Sequence, residues 1–349
     1  MDWGSIIEAT FRGLIGEQFI YFGLAAIGLN LHFGYTGLLN FGQAAFMAAG
    51  AYGLAIIVAT IGPMVNDDEG IFQWSIGEGW LFIIGLAFGV IIVPVVLAVL
   101  MGFPTLRLRA DYLAIVTIAV AEIIRITLRS PQFDKVTGSS DGLTGFSGTF
   151  NDLSPFDRGG RYFFNLFSGN QMFLVLVGWT ILALSAVLCW LIIRSPWGRV
   201  LKAIREDEDA ARALGKNVFN YKMQALVLGG MFGAMGGMLR AIGFSNAQPD
   251  NFITDVTFFV WVALILGGAG KVFAPVIGAA LLWAVLSFTD VFLREVERTD
   301  ALGITDDVLS GPQVGQFRFM LMGLGLALLA AFRPQGIFGN KEEMALDDR

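Results

Sequence analysis

The chain is poor in the residues that carry most enzyme chemistry. Its 349 residues include one histidine and one cysteine. A lone histidine, His32, excludes within this chain the triads, zinc clusters and proton relays that need several such groups. Cys189 cannot form an internal disulfide, and its apolar surroundings mark a small buried or lipid-facing residue. Charge is scarce as well. Asp, Glu, Lys and Arg make up 15% of the chain and the net charge is −6, which offers no basic surface for nucleic acid. The N-terminal MDWGSIIEATFRG lacks the basic stretch of a signal peptide, so the mature chain is expected to begin near Met1.

What the chain has is hydrophobic length. It is 55% hydrophobic with a mean hydropathy of +0.67, and apolar runs long enough to cross a bilayer recur throughout. This is the pattern of an all-α polytopic membrane protein. We read about nine crossings. The first lies near Phe11–Leu31 and the second ends near Ile61. The rest fall near Trp80–Met101, Asp111–Leu128, Met172–Ile193, Lys222–Ile242, Asp255–Leu266, Val272–Asp290 and Phe317–Phe332. A glycine-rich break, GGAGK at Gly267–Lys271, divides the seventh from the eighth. Gly229, Gly233 and Gly237, like Gly85 and Gly89, are spaced by four, which reads as close helix packing.

The stretch GYTGLLNFGQAAF, Gly34–Phe46, predicts a broken or re-entrant segment. Irregular backbone at membrane depth is tolerated only where protein buries it or a polar cavity meets it. Asn40 and Gln43 are therefore candidates for the substrate path, with interhelical hydrogen bonding as the alternative. The amides of a broken helix can also meet a substrate carboxylate. Glu122 and Arg125 stand one turn apart in a span; such a pair neutralises itself, which favours a structural role over substrate contact. Ser139, Ser140 and Asp141 make either a glycine-flanked turn or part of an outer gate.

Between two apolar spans lies a charged island, Ser195–Tyr221, with five basic and four acidic residues. Ser195 reads as a hydroxyl cap and Pro196 as the first turn of a helix. Arg199, Lys202 and Arg205 share a face, opposed by Val200, Leu201 and Ile204. The acids Glu206–Asp209 suit a second helix N-terminus, and Gly215 can end that helix. The pattern predicts two short amphipathic helices on one membrane surface. Lys and Arg in the short loops at Arg107 and Arg109, in the island, and at Lys271, Arg333 and Lys341 mark that side as cytoplasmic. The loops at Asn66–Gly70, Ser130–Gln171 and Glu295–Asp307 fall opposite. The N-terminus is thus expected outside and the C-terminus inside.

Asp209-Ala210-Ala211-x-x-x-Gly215 resembles the EAA-x3-G loop of bacterial ABC importer permeases, with Asp for the usual Glu and without the trailing I-x-L-P. The resemblance widens over most of the chain. GYTGLLNFGQAAFMAAGAY (Gly34–Tyr52), LRLRADYLAIVTIAVAEIIRI (Leu106–Ile126), TGSSDGL (Thr137–Leu143), the island, GGAGKVFAPVIGA (Gly267–Ala279) and FRPQGIFG (Phe332–Gly339) occur in order. Together they look like the branched-chain amino-acid ABC transporter permease family, of the LivH/LivM type and closer to LivM. Ala110 stands where similar proteins often have Gly, and Gln43 falls at a position that varies among them.

That resemblance implies a single transmembrane permease domain over residues 1–349, with a coupling loop at 195–221, an outer loop at 130–171 and a short cytoplasmic tail at 333–349. It implies a subunit of an ATP-driven importer in a bacterial cytoplasmic membrane. Its partners would be a homologous second permease, two ATPase subunits, an extracytoplasmic substrate-binding protein and the surrounding lipid. Arg205, Glu208, Asp209, Ala210, Ala211 and Gly215 would then couple to the ATPase. No cofactor is expected in this chain, and ATP and Mg belong to the partners. The sequence agrees: around Lys271, Ile265 stands where a phosphate-binding loop needs Gly, and Val272 where it needs Ser or Thr. The substrate reading is Leu, Ile and Val, with urea or short-chain amides as the alternative. A stand-alone channel or secondary transporter is the competing class, and an intramembrane enzyme is disfavoured.

Overall fold

The computed structural model describes residues 2–63, 77–108, 110–157 and 159–299, with 336–339 and isolated positions between 315 and 332. Helix dominates. Helix α1 (Trp3–Ile15) is followed by α2 (Glu17–Leu29), which runs on through a π-helical turn at Asn30–Tyr35. Helix α3 occupies Gln43–Ile61 and α4 Glu78–Thr105, each with a π-helical stretch inside it. Then come α5 (Ala110–Arg129), α6 (Gly169–Arg194), the short α7 (Pro196–Glu206) and α8 (Glu208–Ala213), α9 (Val218–Phe244), α10 (Thr254–Gly267) and α11 (Ala274–Thr299).

Among the described residues, seven helical stretches are long and apolar enough to cross a membrane, not nine. Helix α5 has crossing length, about 30 Å at 1.5 Å per residue. Glu122, Arg125 and Arg129 make it too polar to join the seven. The ninth expected crossing, 317–332, falls largely outside the described residues. The first crossing also differs from its expected bounds. It starts at Trp3, where the Asp2 carboxylate accepts hydrogen bonds from the Gly4 and Ser5 amides at 3.0 and 3.4 Å, and it breaks at Gly16. A β-carbon at Gly16 would overlap the Arg12 carbonyl oxygen, so only glycine fits that corner. Helix α1 then leaves α2 and packs along α11.

Helices α2, α3 and α9 form the centre. Every residue of α3 from Gln43 to Ala55 is buried, and α2 is buried from Phe19 onward. An apolar helix without a polar face belongs in such a core. The small residues set its spacing: a β-carbon on Gly28 would overlap the Gly229 carbonyl, one on Gly50 the Ala234 backbone, and one on Gly237 the Met47 backbone. The regular glycine spacing thus serves backbone contact between helices, as in lipid-embedded bundles generally.

The long outer loop is folded. Its strand β1 (Leu143–Thr144) pairs antiparallel with β4 (Asn246–Ala247) at the end of α9, and β2 (Arg161–Tyr162) pairs with β3 (Phe167–Ser168). Phe146, Phe150, Leu166 and Phe167 enter the main core, and the Ser147 hydroxyl donates to the Ile242 carbonyl at 2.9 Å. These contacts fix the loop across the end of the bundle where α9 finishes. The α7–α8 pair sits at the other end, against the end of α2.

Candidate substrate path and coupling surface

The predicted interruption is a re-entrant stretch. Helix α2 continues to Tyr35, and residues 37–42 then return without regular structure to begin α3 beside the middle of α2. Buried polar side chains hold this return. The Asn40 amide lies 3.0 Å from His32 Nδ1, while His32 Nε2 lies 3.1 Å from the Leu226 carbonyl. A carbonyl can only accept, so the proton sits on Nε2 and Nδ1 accepts from Asn40. Gln43 donates to the Ala25 carbonyl at 3.1 Å and the Gly229 carbonyl at 3.4 Å, bracing α3 against α2 and α9.

The returning backbone is satisfied by side chains from other helices and by Asn40 of the return itself. Phe41 N–H donates to Thr117 Oγ1 at 3.0 Å, Gly42 N–H to Asn40 Oδ1 at 2.8 Å, and Ala44 N–H to Thr257 Oγ1 at 2.9 Å. Trp261 Nε1 donates to the Asn40 carbonyl at 3.1 Å. Asn30 locks the GGAGK break, donating to the Lys271 carbonyl and accepting from Gly270 N–H, both at 2.9 Å. Asn40 and Gln43 are therefore buried and bonded in this conformation. The amides at 41, 42 and 44 are likewise engaged within the protein. Sequence reading missed Thr117, Thr257 and Trp261 as their partners, and Asn30 as the residue that holds the GGAGK break. Asn30 carried a signal, a polar group in an apolar run, whereas the threonines and Trp261 carried none.

At the opposite end of the bundle, Glu122 accepts from Arg125 Nε through both carboxylate oxygens at 3.0 Å. Arg125 Nη1 also reaches Asp250 at 2.6 Å, and Arg129 reaches the same carboxylate at 3.5 Å. Asp250 was not singled out from sequence, because its partners lie 121 and 125 residues away. Ser139 and Ser140 come to the same place: the Ser139 hydroxyl donates to the Arg129 carbonyl at 2.8 Å, and Gln248 donates to the Ser140 carbonyl at 3.0 Å. Asp141 is exposed beside them in a turn closed by Asp141 N–H on the Gly138 carbonyl. Helix α5, the outer loop and the segment before α10 thus converge on one charged cluster.

The island forms two short helices, α7 and α8. Pro196 opens the first, but the Ser195 hydroxyl is not its cap. It turns back 2.6 Å to the Ile192 carbonyl and finishes α6 instead, a geometry set by the sharp corner between the helices. Asp207 caps α8, accepting from the Asp209 and Ala210 amides at 2.9 Å. Gly215, at φ 76°, closes it in the left-handed conformation that glycine adopts without strain. Ala211 is buried against Ile204 and Val218. Asp209, Ala210 and Gly215 face outward, as does Leu214, which is 80% exposed and was not picked from sequence. Glu208 is tied to Lys222 and to Arg212, and Arg212 also pairs with Asp209 at 2.9 Å. Beside this edge opens a cleft of 1010 Å³, walled on its far side by Leu106, Arg107 and Leu108. Among the described residues no group of three or more His, Cys, Asp or Glu is placed to hold a metal.

A buried helical bundle with a re-entrant hairpin inside it and a charged helical pair at one end has the form of a multi-pass membrane transport subunit. Residues 14–310 match the model of the branched-chain amino acid transport system permease component. The chain belongs to that family, whose members are permease components and not enzymes. It is similar to the high-affinity branched-chain amino acid transport system permease protein LivM of Escherichia coli K12, with 31% identity over 90% of this chain and 67% of that one. LivM of Salmonella typhimurium LT2 is 30% identical over the same shares. A probable LivM of Methanocaldococcus jannaschii is 24% identical over 94% of both chains. No solved structure matches the chain.

Proposed function

We propose that this chain is the membrane-crossing subunit of an ATP-binding-cassette importer for leucine, isoleucine and valine. In this reading it works with a homologous second permease, two ATPase subunits that bind ATP and Mg, and an extracytoplasmic binding protein. It sits in a bacterial cytoplasmic membrane with the α7–α8 end and the C-terminus in the cytoplasm and the N-terminus outside. The whole chain acts as one permease domain, with the coupling loop at 195–221 and the outer loop at 130–171.

The observation that carries the reading is the outward edge of α8. Asp209 and Ala210, with Leu214 and Gly215 just beyond the helix, project outward while its other side is anchored through Ala211, beside the 1010 Å³ cleft. A short, capped and internally bonded helix transmits a push with little loss to its own fraying. Arg205 and Glu208 serve differently in this scheme: they hold the pair to the spans, while Asp209, Ala210 and Gly215 meet the ATPase. Asn40 and Gln43 brace the segment that must move, and Glu122, Ser139, Ser140 and Asp141 belong to the outer closure.

The test is reconstitution of the chain with its partners in proteoliposomes. Leucine uptake that needs ATP and the binding protein is the expected result. Transport by the purified chain alone, without an ATPase, would overturn the reading in favour of a channel or secondary carrier. Binding of leucine, isoleucine, valine, urea and amides to the partner binding protein, measured by calorimetry, separates amino acid from urea import.

A further inference from the structure

The polar side chains of the re-entrant hairpin all have partners, but several of those in a second region do not. A groove of 210 Å³ lies between the α1–α2 corner and α11, and it is lined by Arg12, Glu17, Gln18, Trp283, Ser287 and Asp290. Both walls belong to crossing-length stretches, Trp3–Tyr35 and Ala274–Arg298. Trp283 to Asp290 lie about 14–24 Å along α11 from Ala274, at 1.5 Å per residue, which is well within a bilayer. Among the described residues, Glu17, Gln18 and Ser287 have no side-chain hydrogen bond or ion pair, and Trp283 Nε1 is buried without an acceptor. Arg12 lies over the Phe167 ring at 5.7 Å, and its charge acts on Glu17 without a direct ion pair between them. Asp290 is held by Arg294 at 3.1 Å.

Lipid cannot satisfy such groups. Ionisable side chains inside a membrane face a protein interior or an aqueous path, and an unpaired buried polar group carries a large desolvation cost. The groove brings together the cation Arg12 and the carboxylate of Glu17, with the neutral Gln18 and Ser287 in the same lining and Leu286 and Val291 behind them. This arrangement matches a zwitterion with an aliphatic side chain. A guanidinium takes a carboxylate through two parallel hydrogen bonds, and a carboxylate takes an ammonium.

We propose that the groove between the α1–α2 corner and α11 binds a zwitterionic aliphatic amino acid during its passage, with Arg12 on the carboxylate and Glu17 on the ammonium. The proposal rests on the import reading above and assigns the contact with substrate to residues outside the re-entrant hairpin.

The experiment uses the assembled importer in nanodiscs and a diazirine analogue of leucine as a photo-crosslinking probe. Adducts should map to Ala9–Gln18 and Trp283–Val291 and should be competed away by excess leucine. Glu17→Gln should lower adduct yield at subsaturating probe about tenfold, the scale of one lost charge-assisted contact. Glu17→Asp, which keeps the charge, should retain most of it. Each variant is compared at matched yield of assembled complex, so a folding defect does not pass for a binding defect. Adducts confined to other segments, or equal labelling of Glu17→Gln and the parent, would overturn the proposal. So would efficient disulfide cross-linking of Gln18→Cys and Ser287→Cys to the second permease, which would make the groove a subunit interface. ATP-dependent leucine uptake measured on the same preparation judges the import reading separately: uptake with an unlabelled groove removes only this proposal.

Discussion

Arg205 donates a hydrogen bond from Nη1 to the backbone carbonyl of Gly34 across 2.6 Å. One residue is in the last turn of α7 and the other near the end of α2, where the re-entrant return begins. Lys202 lies over the Tyr35 ring at 5.9 Å, so two side chains of α7 grip the same turn. The turn leads through residues 37–42 to the bonded group of His32, Asn40 and Gln43. A displacement of α7–α8 thus has a direct covalent and hydrogen-bonded route into the centre of the bundle.

The first prediction concerns that link. Arg205→Ala removes a hydrogen bond to a charged group, typically about 1.5–3 kcal/mol, without touching the outward edge of α8. ATPase assembly and ATP hydrolysis should persist while leucine delivered per ATP falls by about tenfold. The ratio of radiolabelled leucine taken up to phosphate released in proteoliposomes measures it. An unchanged ratio would show that Gly34 does not receive the motion.

A second prediction separates the anchoring of α8 from its docking. Ala211 is 3% exposed and packed on Ile204 and Val218, so Ala211→Asp puts a charge where none can be solvated and should detach α8. Leu214→Asp changes a side chain that is 80% exposed and should leave the local fold intact. Both should reduce copurification of the ATPase subunits, but only Ala211→Asp should also expose the segment 196–215 to proteolysis. If Leu214→Asp copurifies like the parent, the outward edge is not the contact.

The sequence carried the class of this protein more fully than its site. Apolar length and the island were legible because both are local: hydropathy marks a span, and Pro196, Asp207–Asp209 and Gly215 mark helix ends within a few residues. The hairpin at 37–42 was legible as a break, since glycines and amides interrupt an apolar run. What closes it was not, because Thr117, Thr257 and Trp261 arrive from helices far along the chain. Asp250 was hidden for the same reason. Ser195 misled because a serine before a proline suits the end of one helix as well as the start of the next. Arg12 and Glu17 were passed over although they fall inside the first expected crossing, because Trp283, Ser287 and Asp290, which face them, come from α11, much later in the chain.

The third prediction addresses the hairpin. His32→Phe keeps a planar ring of similar bulk but removes the side-chain donor to the Leu226 carbonyl and the nearer of the two acceptors of the Asn40 amide. Each lost buried hydrogen bond costs about 0.5–1.5 kcal/mol. The thermal unfolding midpoint of the purified chain in detergent should drop clearly. His32→Gln, which offers both a donor and an acceptor, should recover part of the loss. Equal stability of His32→Phe and the parent would mean that water or movement relieves the network.

The last prediction tests the closeness of α3 and α9. A β-carbon at Gly50 would overlap the carbonyl oxygen of Ala234, and one at Gly237 the carbonyl oxygen of Met47, so neither site has a flexible side chain that can give way. Gly50→Ala or Gly237→Ala must push two backbones apart, at a cost of about 1–3 kcal/mol for an overpacked core. The helices also carry Gln43 and Gly229 on this seam, so separation should lengthen the Gln43 contact and weaken the hairpin as well. Gly148→Ala serves as control, because its β-carbon would meet nothing within 4 Å. Thermal unfolding in detergent should place both seam variants well below the parent and the control beside it. A double variant should lose less than the sum of its parts, since the first substitution already opens the seam that the second would strain. Full additivity would mean that the two contacts yield independently and that α3 and α9 do not move as one rigid pair.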